Sequence, residues 1–169
     1  PASAPAFASI NNIAGVLVAV PGYVAATISA GTAYSQPSSG IRADTLHFPG
    51  LDAFVLVDTL NVERFPPQAG TDGAQALSAA EVQQVLASAL QIANRARAQI
   101  RQPASTPARV SISVVDTNGV LLGLVRSRDA PVFGIDVSLQ KARSAAFLSS
   151  AAAAAALSGV PDATYLNGG

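Results

Sequence analysis

From Val82 to Ile100 apolar residues fall at Val82, Val85, Leu86, Ala89, Ile92, Ala93, Ala96 and Ile100. That spacing follows a 3.6-residue period and predicts an amphipathic helix over 78–100. Ser78 precedes it, and Glu81 stands three residues further on. The serine oxygen can accept the N–H of residue 81 while the glutamate reaches back to the cap, so a capping box should open the helix. The stripe predicted to pack on a sheet is Val82, Val85, Ala89, Ile92 and Ala96. The period then changes to two. Val110, Ile112 and Val114 alternate with Ser111 and Ser113, predicting a strand over 109–116 with one buried face. Asn118-Gly119 predicts a two-residue type I′ turn, and 120–126 returns as the partner strand.

Beyond the hairpin, Asp136 predicts the start of a second helix, because its carboxylate suits free N–H groups and the positive end of the dipole. That helix is expected to run on through the alanines at 151–156 to Leu157, with Gly159 and Pro161 as the stop. Upstream, the apolar run 52–58 is bounded by Asp52 and Asp58 and predicts a buried strand. Residues 31–51 read as loop, broken at 36–40, and 64–73 as a second long loop. From Ile10 to Ala30 no residue is charged, which is long enough to span a bilayer. Pro21-Gly22 interrupts that run, leucine is scarce, and no cations flank it closely, so a hairpin of strands 16–20 and 23–29 is the better reading. Residues 1–9 read as a linker, 10–160 as a single domain and 161–169 as a tail. About five strands and two long helices in this order predict an α+β domain, an antiparallel sheet with helices packed on it.

The pattern SVVDTNGVLLGLVR at 113–126, followed by SLQKARSAAF at 138–147, resembles the GlcG/HbpS-like haem-binding protein family. Its members show a helix, a V-V-D-x-x-G-x-L hairpin, an arginine and a helix with K-A-x-x-A. Asp116, Gly119, Leu121, Arg126, Lys141, Ala142 and Ala145 match position by position, and the likeness covers residues 77–150. It resembles the later of two such modules in long, exported members. The resemblance implies a profilin-like sheet, a binding or sensing role toward haem or a related small anionic ligand, and a periplasmic or extracellular location. The Gly-Gly strand and Gly-rich hairpin that close the family's fold do not follow residue 150. The apolar hairpin at 13–30 is expected to take their sheet positions. A further segment of a precursor, or another subunit, is expected to cover the edges left open.

Net charge changes the picture by exclusion. It is zero, so no overall field points to nucleic acid or an anionic membrane. The chain has no cysteine, which excludes disulfides, thiolate metal sites and cysteine nucleophiles. It begins Pro-Ala-Ser-Ala-Pro-Ala, which suits a mature product or a piece of a larger exported precursor. Phosphate-binding loop, zincin and nucleophile-elbow patterns are missing. With Glu81 in a cap, Glu63 is the one other glutamate, and no acid–base pair is assembled in the sequence.

His47 is the only histidine. It can serve as an axial ligand to haem iron, or it is a plain loop residue between Leu46 and Phe48. Arg126, Arg128 and Asp129 follow the second hairpin strand, and Lys141 and Arg143 lie on the next helix. Cations at a strand end near a helix start can clasp a carboxylate or propionate. The alternative is a solvated cluster paired internally with Asp129 or Asp136. The candidate ligand-binding set is Arg126, Asp129, Lys141 and Arg143, with Asp116 and Gly119 read as turn chemistry. Tyr23, Tyr34 and Tyr165 can stack on or ligate a porphyrin, and no sequence feature chooses among them. Three functions stay open: a module that binds or senses haem or a similar anion, a structural module of a larger exported assembly, and a haem-degrading enzyme.

Overall fold

Ser78 accepts the N–H of Glu81, and the Glu81 carboxylate accepts the N–H of Ser78 at 2.8 Å. This closed capping box opens the first helix, α1 (Ala79–Arg95). The Ser78 bonds also hold the Glu81 carboxyl below its ordinary pKa. The computed structural model describes residues 32–158 and 160. The linker at 1–9, the hairpin at 16–29, the tail at 161–169, Tyr23, Tyr165, Gly159 and Pro161 lie outside the described residues.

Four strands are described, β1 (Ile41–Ala43), β2 (Phe54–Leu56), β3 (Ser111–Val115) and β4 (Leu121–Arg126). They form one antiparallel sheet in the order β1-β2-β4-β3. Two further helices follow, α2 (Gly134–Leu148) and α3 (Ala151–Leu157), which makes the fold α+β. β2 is buried at all three positions, as a short apolar run between acids should be. β1 falls in a stretch expected to be loop. It is too short to show a period, and its pairing with β2, Ile41 opposite Leu56, makes it a strand.

α1 packs on one sheet face through a different stripe from the one expected. Val82, Leu86, Leu90 and Ala93 are buried, whereas Val85 is 47% and Ile92 69% exposed. Two stripes share Val82, and the leucine side removes more apolar area from water, so it wins. Val82, Leu86 and Leu90 join Val55, Val57, Leu122 and Val125 in the main core. The helix also stops at Arg95 rather than near Ile100. The Ala96 carbonyl accepts the N–H of Ala108, and the N–H of Ala98 donates to Thr106, which turns the chain into a short antiparallel bridge.

The hairpin turn is longer than the Asn-Gly pair suggested. Gly119 has a φ of 76°, and Asn118 does not share the left-handed region. The N–H of Gly119 donates to Asp116 O at 3.0 Å and that of Asp116 to Val120 O at 3.1 Å. This is a type I turn closed by a left-handed glycine, a three-residue loop rather than type I′. Leu122 is bulged, since Val115 pairs with Leu121 and Val114 with Gly123. β3 is covered on both faces, where one was expected. Ile112 and Val114 pack toward the α1 core, and Ser113 Oγ meets Ser138 Oγ of α2 at 2.7 Å.

The second predicted helix is two. Ser149 and Ser150 hydroxyls donate back to the carbonyls of Ala145 and Phe147, and the Ser150 side chain then accepts the N–H of Ala153 to open α3. Serines compete for helical backbone partners in this way and end the run. Asp136 sits in the first turn of α2, and Phe133 occupies the cap position without a side-chain bond. Among the described residues no helix is long and apolar enough to cross a membrane.

Candidate functional site

The serine face of β3 gives little bulk, and Gly134, at the start of α2, has its missing side chain 3.5 Å from Ser111 Oγ. Between them opens a cleft of about 630 Å³, within the usual size of a small-molecule site. Val110, Phe133 and Val137 supply apolar walls. Arg101, Arg109 and Lys141 bring three cations to its lining. An apolar slot bordered by cations suits an amphiphilic anion.

Of the four residues expected to bind ligand, Lys141 alone lines this cleft. Arg126 is fully buried beneath it. Its Nε donates to Ser111 Oγ at 3.4 Å, and one terminal nitrogen donates to the carbonyls of Ala130 and Pro131, which closes the loop after β4. The other terminal nitrogen is buried without a partner among the described residues, and burial lowers the guanidinium pKa. Asp129 is exposed with a φ of 54°, and its backbone N–H donates to Tyr34 Oη at 2.9 Å. Tyr34 tilts against Phe54 with ring centres 5.3 Å apart, so this tyrosine braces the fold. Arg143 Nε donates to Gly119 O at 2.9 Å and props the hairpin turn. The anticipated internal pairs with Asp129 or Asp136 do not form. Arg128 pairs with Asp52 at 2.9 Å, and Arg109 lies 3.9 Å from the same carboxylate.

Arg101 and Arg109 were missed. Both flank the alternating strand in sequence, but their meeting with Lys141 depends on how α2 crosses β3. Asp116 does more than shape a turn. Its carboxylate accepts from Thr71 N–H (2.9 Å), Thr71 Oγ1 (2.6 Å), Asn118 N–H (3.0 Å) and Val120 N–H (2.8 Å). Burial alone would raise its pKa, but the Thr71 and backbone bonds prevail and hold it below the ordinary range.

His47 is elsewhere. Its Nδ1 lies 2.8 Å from Asp44 Oδ2 and 3.2 Å from Glu63 Oε2, and its carbonyl accepts from Gln83 Nε2 of α1 at 2.7 Å. The hollow that His47 lines is formed with Ala80, Gln83 and Ala87 of α1 and shares no residue with the cationic cleft. At Asp44 burial is outweighed by the His47 bonds and the pKa falls, whereas at Glu63 burial dominates and the pKa rises.

The family model described as haem degrading protein HbpS-like matches residues 85–168. Over that stretch, the chain is similar to the HbpS-like family. Comparisons with curated proteins and with solved structures give no match. The HbpS-like stretch begins within α1 and takes in β3, β4, α2 and α3, together with every residue lining the cationic cleft. His47, Asp44 and Glu63 precede it.

Proposed function

We propose that the cleft between β3 and α2 binds haem or a related carboxylate-bearing small molecule, and that the HbpS-like segment serves as a binding or sensing module. The observation that carries this reading is the apolar cleft with Arg101, Arg109 and Lys141 in its lining, inside the stretch that matches a haem-related family. A porphyrin carries two carboxylates on an apolar disc, and the lining fits both parts. Among the described residues no imidazole, thioether or phenolate lines the cleft, so these residues do not fit the iron. Bound haem would supply a redox-active metal. The residues here hold its periphery: Lys141 and Arg109 can each donate to a propionate, and Phe133 and Val137 can cover a ring face. Lys141 has no acidic partner among the described residues, so its ammonium is available to a ligand.

Titration of the full chain with haemin, followed at the Soret band, tests this reading, with iron-free protoporphyrin in parallel. Both should bind saturably and with comparable affinity, because the cleft offers the iron nothing. Lys141→Ala should weaken both by about 1.5–3 kcal/mol, roughly 10–100-fold, the worth of one hydrogen bond to a charged group. His47→Ala should leave the Soret position unchanged. Absence of saturable binding by either porphyrin overturns the proposal, and loss of the band on adding reductant would replace binding with turnover.

A further inference from the structure

Glu63 holds a carboxylate whose side chain is 8% exposed and whose two oxygens have no hydrogen-bond donor among the described residues. A charged group so removed from water normally has a partner or a metal. The atom it faces is His47 Nδ1, at 3.2 Å. Across the imidazole stands Asp44, fully buried, with Oδ2 at 2.8 Å from the same nitrogen. The three ligand-type atoms lie within 4.8 Å of one another.

Zinc takes imidazole nitrogen and carboxylate oxygen at about 2.0–2.2 Å, which puts neighbouring ligand atoms of a tetrahedron about 3.3–3.5 Å apart. The 3.2 Å from Nδ1 to Glu63 is already close to that edge, and the 2.8 Å to Asp44 is a hydrogen-bond distance that an ion would open by about half an ångström. The scaffold around them is fixed. Asp44 Oδ1 accepts the N–H groups of Leu46 (2.8 Å) and His47 (3.2 Å), which holds Oδ2 toward the imidazole as its one remaining partner. Gln83 anchors the His47 carbonyl to α1, and Glu63 is set by its bridge to Val57 beside β2. The His47 side chain is 30% exposed, which leaves a route for an ion and a water molecule.

We propose that Asp44 Oδ2, His47 Nδ1 and one Glu63 oxygen form a binding site for a divalent transition-metal cation, zinc by its spacing and donor set, with solvent as the fourth ligand. The ion would replace the imidazole proton that now points at Asp44, leaving Nε2 protonated toward solvent. The rival occupant of the Glu63 carboxylate is Arg42. After His47 it is the next group whose charge opposes burial there, and its Nε is also buried without a partner among the described residues. Two acidic side chains face a single guanidinium here, a donor set that suits an added cation.

The test is calorimetric titration of the chelator-treated full chain with zinc chloride, repeated with cobalt(II) to read four-coordination from its visible bands. One equivalent should bind. His47→Ala and Glu63→Gln should each lower affinity at least as much as outer-sphere changes at zinc sites do, about 10–100-fold. Lys141→Ala should leave zinc binding intact, because the porphyrin cleft is separate. Circular dichroism establishes that each variant is folded. If Glu63→Gln fails to fold, His47→Ala, at a partly exposed side chain, decides alone. No saturable zinc binding, or binding that survives His47→Ala undiminished, overturns the site and leaves Glu63 to Arg42.

Discussion

A methyl group added at Gly123 tests the packing of α1 on the sheet. Its Cβ would lie 2.8 Å from Leu86 Cδ1 and 3.4 Å from both Val82 Cγ1 and Pro67 Cα. Leu86 is fully buried, so its end has nowhere unoccupied to move. Overpacking of this kind costs about 1–3 kcal/mol, which is the expectation for Gly123→Ala. Leu86→Ala alone removes a buried leucine and leaves a cavity, at about 3–5 kcal/mol. In the double variant the new methyl enters the space that Leu86 vacates. The clash and part of the cavity cancel, and the double should lie at least about 1 kcal/mol below the sum of the singles. Urea unfolding followed by far-ultraviolet circular dichroism measures all four corners, with an unchanged slope as the check that the unfolded state is common. Additivity within about 0.5 kcal/mol would mean that Leu86 and Gly123 do not meet, and the seat of α1 would have to be redrawn.

Ile92→Ala and Val85→Ala should each cost under about 0.5 kcal/mol in the same assay, since both side chains stand largely in water; a loss near 2 kcal/mol would return the buried face to that stripe. Asp116 has a folded pKa below its unfolded value of about 3.9, so its stabilisation is complete above that pH and is lost as pH falls through the folded pKa. Asp116→Asn should therefore cost about 1.5–3 kcal/mol at neutral pH and unfold along a flatter acid curve, and a gap from the parent that stays constant down to the lowest pH would refute it.

What could be read from the sequence was local. The Ser78–Glu81 box, the serine–valine alternation of β3 and the break before Ser78 all rest on residues a few positions apart. The choice of buried face on α1 was not local, because Val82 belongs to both stripes and only the sheet decides between them. The turn type escaped for a related reason. Asn-Gly fits type I′ in isolation, but the Asp116 carboxylate collects the N–H groups of Asn118 and Val120 and so favours a longer loop. At the cleft, Lys141 was found as a helix cation, while Arg126 was drawn away by carbonyls in the loop that follows it. The pairing of His47 with Asp44, three residues before it, went unread, and Glu63 reaches them only through the bridge at Val57.

The one register pair between β2 and β4 joins Phe54 to Arg126, and β4 lies between β2 and β3 in the sheet. Of the two interior strands, β2 and β4, the second is thus the last of the four described strands to be synthesised. While β1, β2 and α1 leave the ribosome, Leu86 and Leu90 have neither Leu122 nor Val125 of β4 to pack against. Closing so long a loop adds little to the equilibrium cost, which grows only with the logarithm of length, but it delays assembly. The first half of the unit therefore waits with its leucine face uncovered, and during synthesis that face is where a chaperone would have reason to act.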